Sequence, residues 1–530
     1  MNRSLLPLIV AVAAAAGASA GTAAATPHNV LFIVVDDMRP NIGAFNFSLA
    51  HTPHMDALAA SGLAFRRAYV QYAFCAPSRN SFMSGRRPDT TRVWNFDDHF
   101  REAGVGDGWR SLPEYFKSHG FFTAGSGKLF HPGVPPNNDW PRSWSPTGTY
   151  YSPECMPEGG GGNSGRFCND SHAPSGRTQT APSGAFACVS QDPPGEHTKT
   201  AGYTLCPANT SKDEARFEYQ LEDQRIAGSC LDQLEQGAAA VAAGAAKGFF
   251  VGCGFHKPHV PWVFPTEFLE EFPADLADIP LASDTGAPAG MPDAAWHYPA
   301  DVHGFNINFN GTCNETRSRN FRRGYYAAVA YTDYNIGKLL ARLDALNLAA
   351  TTAVVVFGDH GWQLGEHDTW AKMTKWVAQR RVPRDDRASS ANPIAFSPSP
   401  PPLRSSRSFE VALRTPLIVR APWKSASVGK VTNVLAEAVD LYPTLAALAG
   451  LPPPASEGEA VNGTSLEAVF DDPGAASSDG LKAAAFSQFA KPSEADPFLF
   501  WPTPARNATE IMVGPASRAR DERHRPAPTF

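Results

Sequence analysis

Asn29-Val30-Leu31-Phe32-Ile33-Val34-Val35-Asp36-Asp37 decides the fold. An apolar run with no polar alternation ends abruptly in two carboxylates. This predicts a strand buried on both faces of a parallel sheet. Thr352 to Phe357 is a second such run and ends in Gly358-Asp359-His360. Phe249 to Gly252 and Leu417 to Arg420 predict further core strands. Helical spacing lies between them: Met55, Leu58, Ala59 and Leu63 within Pro53 to Phe65, and Val329, Ile336, Leu339, Leu340 and Leu343 within Tyr325 to Leu346. Strands alternating with helices predict an α/β fold with a central sheet flanked by helices. Ligands in such sheets bind beyond the carboxyl ends of the strands. Both acidic pairs lie there.

Asp36 and Asp37 would repel each other at a buried strand end unless a cation neutralises them. Oxygen ligands suit a hard divalent ion such as Ca²⁺ or Mg²⁺. Asp359 could complete the shell, with His360 a further ligand or an orienting neighbour. The plainer alternative is that the pair caps a helix or a turn. Cys75-Ala76-Pro77-Ser78-Arg79 places proline where a first helical turn accepts it. Cys75 is therefore expected at a helix N-terminus, where the dipole stabilises negative charge, with Arg79 one turn further in. An ordinary thiol is the alternative.

Three more segments carry cations. Gly127-Lys128-Leu129-Phe130-His131-Pro132-Gly133 sets an ammonium and an imidazole three positions apart. In Phe255-His256-Lys257-Pro258-His259-Val260-Pro261 the prolines are expected to hold the backbone extended, so that alternate side chains project into a cleft. Trp370-Ala371-Lys372 follows the second acidic strand end. Each alone reads as a solvated basic loop. Together Arg79, Lys128, His131, Lys257, His259 and Lys372 surround a candidate metal and nucleophile, which suits a tetrahedral anion with a departing alkoxide.

The 530 residues, 43% of them hydrophobic, suffice for a sizeable core. A net charge of −6 gives no reason to expect nucleic-acid binding. Residues 1–20 read as a secretory signal: a basic start, the apolar run Leu5 to Ala16, and the small residues Ala18-Ser19-Ala20. That run is short for a membrane span, so no stable membrane insertion is expected. Secretion gives meaning to the glycosylation acceptors Asn46, Asn169, Asn209, Asn310, Asn314, Asn462 and Asn507.

Among eight cysteines, Cys155, Cys168, Cys188 and Cys206 lie in one Gly/Pro/Ser-rich stretch and are disulfide candidates whose three pairings stay open. Cys253 reads as a buried small hydrophobe. Val377 to Arg407 is dense in Arg, Ser and Pro and cannot build a core of its own.

With these motifs in place, the chain resembles the type I sulfatases of the alkaline-phosphatase-like superfamily. The resemblance rests on Asp36 to Pro40, Thr52 to Ala59, Cys75 to Arg92, Gly127 to Gly133, Gly254 to Pro261 and Asp359 to His367. It implies a mostly parallel central sheet with a small C-terminal α+β subdomain. It also implies that Cys75 is oxidised to formylglycine by a formylglycine-generating enzyme. Asp36, Asp37, Asp359 and His360 match a site for one Ca²⁺. Cys75, Arg79, Lys128, His131, His259 and Lys372 match catalytic positions, and Lys257 and Trp362 are expected to contact substrate. The implied activity is removal of sulfate from a sulfated uronate in a glycosaminoglycan or related polysaccharide, in a lysosomal or extracellular glycoprotein.

The expected organisation is a catalytic domain over 27–475, with a low-complexity insertion at about 377–407, and a partial C-terminal subdomain and tail over 476–530. The insertion falls where relatives pass within a few residues from Trp-Ala-Lys to a segment like Ser408 to Val411. It reads either as a surface loop or as a translated intron. Beyond Met512 the likeness stops. Three rival functions share these motifs: a sulfatase of other specificity (choline or another carbohydrate sulfate), a phosphoester hydrolase on the same fold, and a non-catalytic binder of sulfated glycans.

Overall fold

In the computed structural model, Leu31, Ile33 and Val35 of the first strand face one hydrophobic layer, and Val30, Phe32 and Val34 face the other. That two-sided burial is what an unalternated apolar run dictates. The structure describes residues 28–152, 205–208, 210–216, 220–283, 286, 313–372, 410–474, 481–482 and 484–487. The predicted signal, the insertion at 377–407 and most of 476–530 lie outside them. So do Cys155, Cys168, Cys188, Asn169, Asn209, Asn310 and Asn507, together with the side chain of Cys206.

Among the described residues, eight strands form the main sheet: β1 (Asn29–Val35), β2 (Leu63–Tyr69), β3 (Phe122–Gly127), β4 (Tyr150–Tyr151), β5 (Phe249–Phe255), β6 (Thr352–Gly358), β7 (Arg414–Arg420) and β8 (Lys430–Glu437). Their order is β8-β2-β7-β6-β1-β5-β3-β4. β1 is central and pairs in parallel with β5 and β6, Val30 facing Phe250 and Ala353. Among the described strands only β7 runs against its neighbours, antiparallel to both β6 and β2. The sheet is therefore mixed and mostly parallel, as expected.

The helices Pro53–Ala60, Glu222–Ala242 and Glu315–Ala345 contribute to the layer that holds Leu31, and Cys75–Ser84, Leu112–Ser118 and Leu441–Leu448 to the layer that holds Phe32. The first of these stops at Ala60, short of the predicted Phe65, because Leu63, Ala64 and Phe65 open β2 and are buried in the sheet. Glu315–Ala345 begins ten positions before the predicted Tyr325, with Asn314 accepting the Arg317 N–H as its N-cap.

Cys253 is more than a small hydrophobe. It is disulfide-bonded to Cys230 and joins β5 to the helix Glu222–Ala242. The two thiols meet because that helix packs directly on β5, a contact that spacing in the chain does not reveal. Asn46, Asn314 and Asn462 are exposed. Among the described residues, no helix is long and apolar enough to cross a membrane.

Candidate active site

The strand ladder continues past the ends of β1, β5 and β6 and carries the acidic residues with it. Asp36 N–H donates to the Phe255 carbonyl at 3.0 Å, and Asp359 N–H donates to the Val35 carbonyl at 3.1 Å. Asp36, Asp37, Asp359 and His360 are all fully buried. β3 ends close by, at Gly127. A Cβ there would lie 2.1 Å from the Gly254 carbonyl, so only glycine allows Lys128 to leave the sheet at this point.

Cys75 opens the helix Cys75–Ser84, as its neighbouring proline predicts, with Phe74 extended at the N-cap. Its sulfur lies 3.0 Å from Lys372 Nζ, 3.3 Å from His360 Nε2 and 3.4 Å from Asp36 Oδ1. Arg79, one helical turn on, reaches Asp359 Oδ2 at 2.9 Å and Asp36 Oδ1 at 3.4 Å, and donates to the Lys128 and Leu129 carbonyls. Lys128 Nζ lies 2.6 Å from Asp36 Oδ2. Lys372 Nζ lies 2.7 Å from Asp37 Oδ1. Three buried carboxylates thus face three buried cations.

Burial alone would raise the Asp36 carboxyl, but Lys128, His259 and Arg79 overcome it and hold the group well below the usual carboxylate range. Asp37 differs. Burial, with Asp36 adding to it, pushes its carboxyl up to about 8 against Lys372. Burial and then Asp36 push the Cys75 thiol up to about 11, against Lys128 and Lys372. A thiol so placed keeps its proton at neutral pH and is a poor nucleophile as it stands.

His360 tests whether a metal fits. Its Nδ1 lies 2.9 Å from the Gly361 carbonyl, which fixes the ring's orientation. Its Nε2 faces Asp37 Oδ1 at 3.3 Å and Asp359 Oδ2 at 3.5 Å. Asp37 Oδ2 is buried without a hydrogen-bond partner among the described residues, an orphaned carboxylate oxygen that a bound cation would satisfy. One ligand atom each from Asp36, Asp37, Cys75 and His360 lie within 4.8 Å of one another. The donor set therefore fits a divalent ion. Asp359 falls outside this foursome. Its Oδ1 accepts the Asp37 and His360 N–H groups at 3.0 and 2.9 Å, and its Oδ2 faces Arg79.

His259 Nε2 stands 3.9 Å from Asp37 Oδ2. Its loop is not extended as expected. The His259 N–H donates back to the His256 carbonyl at 2.8 Å, and the Lys257 ammonium donates to the His259 and Pro261 carbonyls, both at 2.9 Å. Backbone carbonyls that converge in a turn draw in the ammonium, so Lys257 braces the loop. Asp223 secures the same loop by accepting the His256 and Lys257 N–H groups at 2.8 and 2.9 Å.

Trp362, expected to contact substrate, stands beside Lys372. It is fully buried in the apolar layer, and Lys372 Nζ lies 5.5 Å from its ring centre, so it backs Lys372.

His131 is half-buried, and its ring stacks on Phe96 at 4.1 Å. Phe96 in turn stacks on Phe74 at 4.1 Å, beside Cys75. Burial, then Lys128 and Arg79, hold His131 well below its usual range, so it is neutral. Phe96 and Asp223 escaped the sequence reading. Phe96 stands in an aromatic-rich run, Val93-Trp94-Asn95-Phe96, and only its proximity in sequence to Arg92 could have drawn attention to it.

A mostly parallel sheet whose strand ends hold a metal-ready acidic cluster, a helix-borne nucleophile position and converging cations defines an alkaline-phosphatase-like ester hydrolase. The fold agrees with that of a phosphonate monoester hydrolase from Agrobacterium radiobacter, with TM-score 0.59 at 18% identity, covering 89% of this chain and 82% of that one. The chain belongs to the sulfatase family, whose model matches residues 28–451. It is 34% identical to iduronate 2-sulfatase of Mus musculus over 82% of this chain and 71% of that protein. The identity to the Homo sapiens iduronate 2-sulfatase is likewise 34%, over 80% and 70%.

Proposed function

We propose that this sulfatase hydrolyses a sulfate ester on a uronate of a glycosaminoglycan or related polysaccharide, using formylglycine made from Cys75 and one calcium ion. The observation that carries the reading is the setting of Cys75. Its sulfur is in contact with Lys372, His360 and Asp36, yet burial pushes the thiol up to about 11. So guarded a position suits a group that is chemically converted before use. The uronate rests on the likeness to the iduronate 2-sulfatases.

A hydrated formylglycine supplies one hydroxyl to attack sulfur and a second to expel sulfate, and a bound calcium supplies positive charge to the sulfate oxygens. Asp36, Asp37 and His360 hold the ion, with Asp359 fixing the Asp37 and His360 backbones. The three carboxylates and three cations cancel. A divalent ion held by Asp36, Asp37 and His360 would then leave two positive charges for an anionic ester and an ionised nucleophile. Lys128 and Arg79 anchor the nucleophile's surroundings through Asp36. Lys372 faces position 75 and the sulfate. His259, at the half-open side of the site, delivers a proton to the departing sugar oxygen. Neutral His131 accepts one from the second hydroxyl.

Residues 27–475 form the catalytic domain. The protein works in the secretory pathway, lysosome or extracellular space after meeting a formylglycine-generating enzyme. Mass spectrometry of the tryptic peptide Ala68 to Arg79, from a host with that enzyme, tests the reading. An aldehyde at position 75, trapped by an aminooxy reagent, is the expected result. An unaltered thiol in active enzyme would overturn it.

A further inference from the structure

We propose that Tyr325 is a positioning residue for the metal-binding turn, holding Asp37 in the backbone conformation that presents its carboxylate to a divalent ion. The inference rests on the metal reading given above. Asp37 has φ of 59°, in the left-handed region that residues other than glycine seldom occupy. Such a conformation persists only where the surroundings over-determine it.

Tyr325 supplies that determination. It projects from the helix Glu315–Ala345 and is fully buried, with its ring edge-on to Trp262. Its hydroxyl donates to the Asp37 carbonyl at 2.7 Å and accepts the Arg39 N–H at 3.0 Å. One oxygen thus closes the turn on either side of Met38.

The other groups of the turn are also fixed. The Asp37 N–H goes to Asp359 Oδ1, and the Arg39 guanidinium donates to the Trp362 carbonyl at 3.3 Å and to Glu366 at 2.8 Å. Glu366 also accepts the Leu364 N–H, so the same turn is tied to the segment that leads to Lys372. Removing the Tyr325 hydroxyl leaves a buried carbonyl and a buried N–H without this shared partner. The turn can then relax toward ordinary φ, which carries the Asp37 carboxylate away from His360.

The test is a calcium titration of chelator-stripped protein, read by calorimetry and by thermal shift. Wild type, Tyr325→Phe and Tyr331→Phe are compared with position 75 in the same chemical state. Tyr331 lies on the same helix and is equally buried, with its ring against Phe268. Wild type and Tyr331→Phe should bind calcium alike, and Tyr325→Phe about tenfold or more weakly. Equal affinity in Tyr325→Phe would overturn the inference, even if that variant melts earlier, since its hydroxyl would then serve stability alone. Equal weakening by Tyr331→Phe would overturn it too, as a general effect of lost buried hydroxyls. Wild type that binds no calcium would remove the metal reading itself, and the inference with it.

Discussion

The Lys372 ammonium lies 3.0 Å from the Cys75 sulfur although the two residues are 297 positions apart in the chain. The same ammonium is 2.7 Å from Asp37 Oδ1. One cation therefore touches both the nucleophile position and a candidate metal ligand. Asp37 and then Cys75 hold its pKa up against burial, so Lys372 stays charged.

Lys372→Met keeps the length of the side chain and removes the charge. Its kcat on an aryl sulfate should fall by about a hundredfold or more, in the range of lost charge stabilisation or proton delivery at a reacting group. Stopped-time assays with matched protein concentrations measure this. A rate within twofold of wild type would remove Lys372 from the reaction.

The unconverted Cys75 thiol should resist alkylation. Burial and Asp36 push it up to about 11, so at neutral pH the protonated, unreactive form dominates. Iodoacetamide should leave Cys75 unlabelled in the folded chain and label it after unfolding in urea, read by peptide mass spectrometry. Rapid labelling of the folded protein would contradict the geometry.

Asp37 gives calcium a pH-dependent effect. Its folded value, about 8, lies above the ordinary carboxylate value of 3.8 that applies when the chain unfolds. Between those limits the folded metal-free protein holds the proton more tightly. Raising pH through that window therefore costs the metal-free protein stability. Calcium binds the ionised carboxylate, so its stabilising shift in melting temperature should grow from pH about 5 to pH about 8, where Asp37 deprotonates. Asp36, held well below the usual range, stays ionised throughout and adds no slope there. Thermal melts with calcium and with chelator give the difference directly. A difference that shrank with pH would refute the assignment.

The Cys230–Cys253 bond closes a loop with a sequence separation of 23. Replacing both residues by alanine should lower unfolding free energy by about 3 kcal/mol on the loop-entropy relation. Urea denaturation measures it. An unchanged midpoint would show that the helix Glu222–Ala242 and β5 are held by packing alone.

The parts of the fold legible in the sequence were those where one physical requirement acts on consecutive residues. β1 and β6 are buried on both faces, so Val30 to Val35 and Ala353 to Phe357 had to be apolar without interruption. The acidic ends could be located for the same reason, because a carboxylate cannot continue such a strand. Cys75 could be placed at a helix start because Pro77 limits the local backbone.

What could not be read depends on contacts across the fold. Nothing near Cys253 tells that Cys230 will lie over it. Lys257 looked like a ligand for an anion because lysine beside histidine and proline says nothing about which carbonyls will converge on its ammonium. Tyr325 was legible only as the first residue of a helical pattern. Its link to Asp37 exists only once the long helix has packed against the end of β1. The boundary at Ala60 was missed because Leu63 satisfies a helical period and a buried strand equally well.

The central place of β1 sets a timetable. β1 leaves the ribosome long before both its neighbours, β5 and β6, and the second of these is finished only at Gly358. Until β5 is made this apolar strand has neither edge paired, and until β6 docks it has one edge open, which invites aggregation and calls for chaperone protection during synthesis. The delay also keeps the Cys75 segment open. That cysteine is 1% exposed once the sheet has closed. An enzyme that must grip the Cys75 segment has from the emergence of that segment to the docking of β6 to act. Under the proposed maturation of Cys75, the fraction of molecules converted would then be set by how slowly the centre of the sheet assembles.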